Sequence, residues 1–184
     1  MLHQDPSRVA CLFSAETLRD RCAALGATLT QDYAGREVLA VCVLRGAIPF
    51  FADLVRHIDL PLVCDTLAVS SYEGGTTSTG RVRLVSDLRE SVEGRHVLLV
   101  EDIVDTGLTA RFLLQLIEER GAASVELVSL LDKPARRQVA VDVRYVGFTI
   151  EDHFVVGYGL DLDQRLRNLP YVGVLRSPSE NAAS

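Results

Sequence analysis

The chain has 184 residues, 48% of them hydrophobic, which is enough for one good core and favours a single domain. Nineteen basic residues against 25 acidic ones give a net charge of −6, without the basic footprint that nucleic-acid or anionic-membrane binding requires. The only apolar run near the N-terminus, "VACLF", is too short for a signal-peptide core or a membrane span, so a soluble cytoplasmic protein is expected, with no membrane or nucleic-acid partner.

Along the chain, "EVLAVCVL" (37 to 44) is nearly all apolar and rich in β-branched residues, and reads as a buried strand. "AIPFFADLVRHI" (47 to 58) carries bulky residues at helical spacing and reads as the helix that follows it. "VCDTLAVS" and "RVRLVSD" are strand-like and flank "SYEGGTTSTG" (71 to 80), whose glycines, threonines and serines predict a mobile loop. "HVLLVED" (96 to 102) is the next strand. It leads into a helix with Phe112, Leu113, Leu116 and Ile117 on one face and Gly121 as its stop signal. "SVELVSLLD" (124 to 132) is a further strand. Near-continuous apolar strands alternating with amphipathic helices predict an α/β fold built on a mainly parallel sheet covered on both faces. The domain is expected to span 1 to 176, with a core from about 30 to 140. A small hood would form from about 1 to 20 and 141 to 176, leaving 177 to 184 as a flexible tail.

The four cysteines, Cys11, Cys22, Cys42 and Cys64, form no C-x-x-C pair and have no histidine at metal-ligand spacing, so they read as buried or inert thiols. Chemistry concentrates at the end of the 96 to 102 strand, in "VLLVEDIVDTGLT" (97 to 109). In an open parallel sheet, ligands bind at the carboxyl ends of the strands, where Glu101 and Asp102 fall. The turn Asp105-Thr106-Gly107-Leu108-Thr109 opens a helix, whose free N–H groups and dipole, with two threonine hydroxyls, make a cradle for one phosphate. The acid pair suits vicinal hydroxyls or a divalent cation, and a sugar phosphate would satisfy both halves. The plainer alternative makes Asp105 a helix N-cap and the acid pair a polar strand end. Neither G-x-G-x-x-G nor G-x-x-x-x-G-K-[ST] occurs.

The segment "VLLVEDIVDTGLTA" closely resembles the phosphoribosyl-pyrophosphate (PRPP) motif of the type I phosphoribosyltransferases. Four other stretches, in order, resemble the hypoxanthine-guanine members of that family: "VLRGAIPFFADL", "SSYEGGTTSTGRVRL", "SLLDKPARR" and "VGFTIEDHFVVGYGLDLDQRLRNLPYVGVL". The resemblance covers roughly residues 8 to 176 and implies the type I fold, a twisted sheet flanked by helices with a hood from the terminal segments. It implies transfer of a 5-phosphoribosyl group from PRPP to N9 of hypoxanthine or guanine with Mg²⁺, by a homodimer or homotetramer with helix 47 to 58 a candidate contact.

Residue by residue, the resemblance gives Glu101 and Asp102 the ribose hydroxyls, directly or through the metal. Thr106, Gly107, Leu108 and Thr109 take the 5′-phosphate, and Asp105 is the general base at purine N7. Lys133 donates to the 6-oxo group, Phe154 stacks on the base and the backbone of Val155 reads its edge. Asp161 serves the purine side and the metal on the pyrophosphate side. Arg45 and Gly46 form the pyrophosphate loop, whose Leu44-Arg45 peptide can be cis in the family, and Arg167 neutralises the leaving group. Ser71 and Tyr72 belong to a lid that excludes water. Leu108 and Arg45 stand where lysine occurs in some members. Two rival readings are a non-catalytic sensor of PRPP or nucleotides that binds RNA on the same fold, and a sibling transferase preferring xanthine, adenine or a pyrimidine.

Overall fold

The computed structural model describes residues 9 to 71 and 82 to 175. Its main sheet has six strands in the order β4-β3-β2-β5-β6-β7. These are β2 (Val38–Leu44), β3 (Leu62–Ser71), β4 (Val82–Ser86), β5 (His96–Val104), β6 (Ser124–Asp132) and β7 (Tyr145–Thr149). All neighbouring pairs are parallel except β3 and β4. The expected mobile segment 71 to 80 lies, after Ser71, outside the described residues, as does the tail from 177.

The central strands are apolar without interruption because both of their faces are covered. On one face Val38, Leu98, Val100, Val128 and Leu130 pack with Leu18, Cys22, Leu25 and Leu29 of helix α1 (Ala15–Asp32) and with Phe50 and Leu54 of α2 (Ile48–Val55). On the other, Leu39, Val41, Val43, Val97 and Leu99 meet Ala110, Leu113 and Ile117 of α3 (Leu108–Glu119). Phe112 and Leu116, expected on the buried face of α3, are only half-buried. Gly121 ends α3 as anticipated, with φ +81°.

A second sheet of three antiparallel strands, β1 (Val9–Phe13), β9 (Val172–Leu175) and β8 (Val155–Val156), forms the hood. Its boundaries differ from the expected ones. The anticipated break near residue 20 falls inside α1, which begins at its Ser14 cap (Oγ accepting from Thr17 N, 3.1 Å) and packs against α2 and β7. β7 belongs to the main sheet and not to the hood, because a side chain at Gly147 would collide with the Leu130 carbonyl and its absence lets the strand close on β6. All four cysteines are free; Cys22 and Cys42 are buried, and Cys11 and Cys64 are exposed. Among the described residues no helix is long and apolar enough to cross a membrane.

Candidate active site

β5 runs two residues beyond the expected 96 to 102, to Val104, so Glu101 and Asp102 lie within the strand and not at its end. Successive strand side chains point to opposite faces. The two acids both line a main cavity of about 720 Å³, and each borders a second one. Glu101 reaches a small cavity of about 90 Å³ shared with Asp105, Thr106, Gly107 and Thr109. That is the room of roughly three waters, the scale of one phosphate group and not of a nucleotide. Asp102 reaches a cavity of about 250 Å³ lined by Asp105, Lys133, Phe154, Val155 and Asp161.

The phosphate-sized cavity sits at the start of α3. The helix N-cap is Gly107, with φ +86° and no side-chain capping bond of its own, so Asp105 is not the cap; in the first turn Leu108 N makes only a long bond to Thr106 Oγ1 (3.4 Å). A side chain on Gly107 would press on Arg137 Cδ and the Val139 carbonyl. The turn is braced from behind. Arg137 Nη1 donates to Asp105 O (2.9 Å), its Nη2 pairs with Asp132, and Gln138 N donates to Thr106 O (2.9 Å). Arg137 and Gln138 were not singled out in the sequence, since nothing local marks them as buttresses.

The electrostatics of the acid pair are unusual. Glu101 is buried, and desolvation, with Asp102 next to it, pushes its carboxyl well above the usual range. Asp102 is pushed up to about 6, chiefly by desolvation and against the lowering effect of its bond from Ile103 N (3.0 Å) and of Arg167. Two carboxylates kept close in a dry wall invite hydroxyl donors or a cation. Among the described residues no cluster of three or more metal-ligating side chains occurs. Hard oxygen ligands in ones and twos are nevertheless what Mg²⁺ uses when it arrives bound to substrate phosphates, and the acid pair fits that chemistry.

Opposite Asp102 lies the loop after β2, with a cis Leu44-Arg45 peptide. A Cβ on Gly46 would fall onto Asp102 Oδ2, and a Cβ on Gly159 onto the Gly46 carbonyl, so this wall is closed by backbone alone. Arg45 and Gly46 line the main cavity together with Asp161 and Arg167. Arg167 pairs with Asp161 (2.6 Å) and donates to Gly159 O (2.6 Å), while Gln164 N donates to Asp161 Oδ2 (2.7 Å). Tyr158, Asp163, Gln164 and Leu166 all hold positive φ in this stretch, a concentration of disfavoured backbone typical of binding loops.

On the base side, Lys133 is 5% exposed and donates from Nζ to His153 O (2.7 Å). Phe154 is 54% exposed, a large apolar ring left partly uncovered, and Val155 begins β8 directly after it. Asp105 also borders this cavity; its Oδ1 is buried, with Arg136 Nε 3.2 Å away as its ion-pair partner but no well-formed hydrogen bond. The structure thus brings together the acid pair, the turn 105 to 109, Arg45, Gly46, Asp161, Arg167, Lys133, Phe154 and Val155. Ser71 ends β3, and Tyr72 lies outside the described residues.

Comparison with known proteins decides the family. Residues 12–163 match the phosphoribosyl transferase domain. The chain belongs to the phosphoribosyltransferase family. It is 48% identical over 176 residues to the hypoxanthine-guanine phosphoribosyltransferase of Bacillus subtilis, covering 96% of this chain and 97% of that one. A crystal structure of a hypoxanthine phosphoribosyltransferase from Staphylococcus aureus superposes with a TM-score of 0.89 at 43% identity, covering 97% of this chain and 96% of that one. The bifunctional protein TilS/HprT of Listeria innocua is 51% identical over 95% of this chain, and the match spans only 27% of that relative's length. The mainly parallel sheet flanked by helices is the phosphoribosyltransferase fold that the sequence motifs imply.

Proposed function

We propose that this phosphoribosyltransferase transfers the 5-phosphoribosyl group of PRPP to N9 of a 6-oxopurine, hypoxanthine or guanine, releasing the nucleoside 5′-monophosphate and pyrophosphate. The observation that carries this reading is the position of Asp105. It borders both the phosphate-sized cavity and the cavity of Lys133 and Phe154, and the main cavity, lined by Glu101 and Asp102, shares lining residues with both.

In this reading the 5′-phosphate takes the N–H groups of residues 106 to 109, and the ribose hydroxyls donate to Glu101 and Asp102. Pyrophosphate lies against Arg45, Gly46 and Arg167. Mg²⁺, when bound, would neutralise charge on the departing pyrophosphate, with Glu101, Asp102 and Asp161 the residues available to hold it or its waters. Asp105, which borders both cavities, accepts the proton at N7 as N9 attacks C1 of the ribose, a contribution of about 10²- to 10⁴-fold. Lys133, a fixed donor, matches a 6-oxo acceptor and opposes the 6-amino donor of adenine. Phe154 stacks on the base. The enzyme is read as a cytoplasmic homo-oligomer, with half-exposed Ile48 on α2 a candidate contact.

The test is a competition assay with PRPP, Mg²⁺ and hypoxanthine, guanine, xanthine, adenine and uracil in equal amounts. Products from the first two support the reading. Conversion of xanthine, adenine or uracil alone, or of none, overturns it.

A further inference from the structure

Four charged groups at and beside the base cavity do not act separately. One oxygen of Asp152, Oδ1, lies 3.6 Å from Lys133 Nζ and 3.6 Å from Arg136 Nη1. Arg136 in turn places Nε 3.2 Å from Asp105 Oδ1. Asp105, Arg136, Asp152 and Lys133 therefore form a chain of alternating charge. It runs from the residue that faces N7 to the residue that faces the 6-position.

Asp152 is the link, and its own burial does not explain it. Its side chain is 53% exposed, where an ion pair contributes little stability, about 0 to 1 kcal/mol. The group it serves is different. The Lys133 side chain is only 7% exposed, and a buried ammonium requires compensating partners. Lys133 has three N–H donors, of which one is spent on His153 O. Asp152 is the single carboxylate within ion-pair distance of it among the described residues. Without that charge, Lys133 and Arg136 are two cations facing each other, and Lys133 keeps only one fixed bond.

Resting on the 6-oxopurine reading above, we propose that Asp152 is a positioning residue for base recognition. It holds the Lys133 ammonium in place to read the 6-oxo group, and holds Arg136 against Asp105. A 6-oxo acceptor then meets a fixed donor, whereas a 6-amino group meets that same donor and is rejected.

The experiment compares wild type with Asp152→Asn, which keeps shape and removes charge, and with Asp152→Glu, which restores charge. Asp152→Asn should raise the KM for hypoxanthine about tenfold, the factor given by 1.4 kcal/mol. The KM for PRPP should stay within about twofold, and the preference for hypoxanthine over adenine should shrink by a similar factor to the hypoxanthine loss. Asp152→Glu should recover most of both, and Arg136→Gln combined with Asp152→Asn should cost less than the sum of the two alone. An unchanged hypoxanthine KM, an equal rise in both KM values, or no recovery by Asp152→Glu overturns the proposal while the function stands. A wild type that converts no 6-oxopurine removes the function and this proposal together.

Discussion

Replacing Asp102 by Asn should make the empty protein more stable while weakening its substrate binding. The Asp102 carboxyl is raised from 3.8 to about 6 in the fold, so the folded state holds this proton more tightly than the unfolded chain. The stability it contributes is fully present below pH 4 and is lost as pH rises through about 6. The shift is about two units, each ~1.4 kcal/mol, so ionising Asp102 at pH 8 costs the empty fold at most ~3 kcal/mol. Glu101, raised in the same direction, adds a cost of the same sign. Asparagine keeps the oxygen that accepts from Ile103 N but carries no charge to desolvate. Thermal unfolding in metal-free buffer reads the result. At about 2 to 4 °C per kcal/mol for a chain of this size, the variant should melt up to roughly 6 to 12 °C above wild type at pH 8. That gap should shrink toward zero as pH falls to 4. With PRPP and Mg²⁺ the order should reverse, because the ligand stabilises only a protein that binds it. A variant no more stable than wild type at pH 8, or a gap independent of pH, would refute the reasoning.

Three further outcomes follow from contacts. Gly46→Ala should displace the Asp102 carboxylate, since the new methyl falls on its Oδ2. The expected cost is about 1 to 3 kcal/mol in stability, with a rise in the KM for PRPP larger than that for the base; calorimetry and steady-state kinetics check both. Arg137→Met removes the brace on the phosphate turn and leaves buried acceptors on Asp132 and Asp105 unpaired. It should cost about 1 to 3 kcal/mol in chemical unfolding and weaken binding of PRPP. Lys133→Met should abolish the preference for hypoxanthine over adenine without changing the affinity for PRPP, as direct binding titration would show.

The local parts of this molecule were legible before its structure. β2, β5, β6, α2 and α3 follow from uninterrupted apolar runs and a 3.6-residue period, because a strand covered on both faces and a one-sided helix each write their burial into adjacent residues. The turn 105 to 109 was legible for the same reason. α1 was missed although Ser14 and the spacing of Leu18, Cys22, Leu25 and Leu29 mark it, because charged and small residues dilute the pattern between them. β7 was assigned to the hood because a five-residue strand carries no signal of its distant partner. The site shows the same division. The chain of charge through Arg136 and Asp152, the brace from Arg137 and the fit of Gly46 against Asp102 join residues up to 56 positions apart, and only tertiary packing brings them together.

The central claim is that the three neighbouring acids divide the work: Glu101 and Asp102 handle PRPP, and Asp105 serves the chemical step. Single-turnover formation of the nucleoside monophosphate by Asp105→Asn, with PRPP affinity measured on the same sample, tests it most directly. The account predicts a rate lower by about 10²- to 10⁴-fold with PRPP affinity retained. A variant that turns over at the wild-type rate, or one that loses PRPP binding instead, would contradict it.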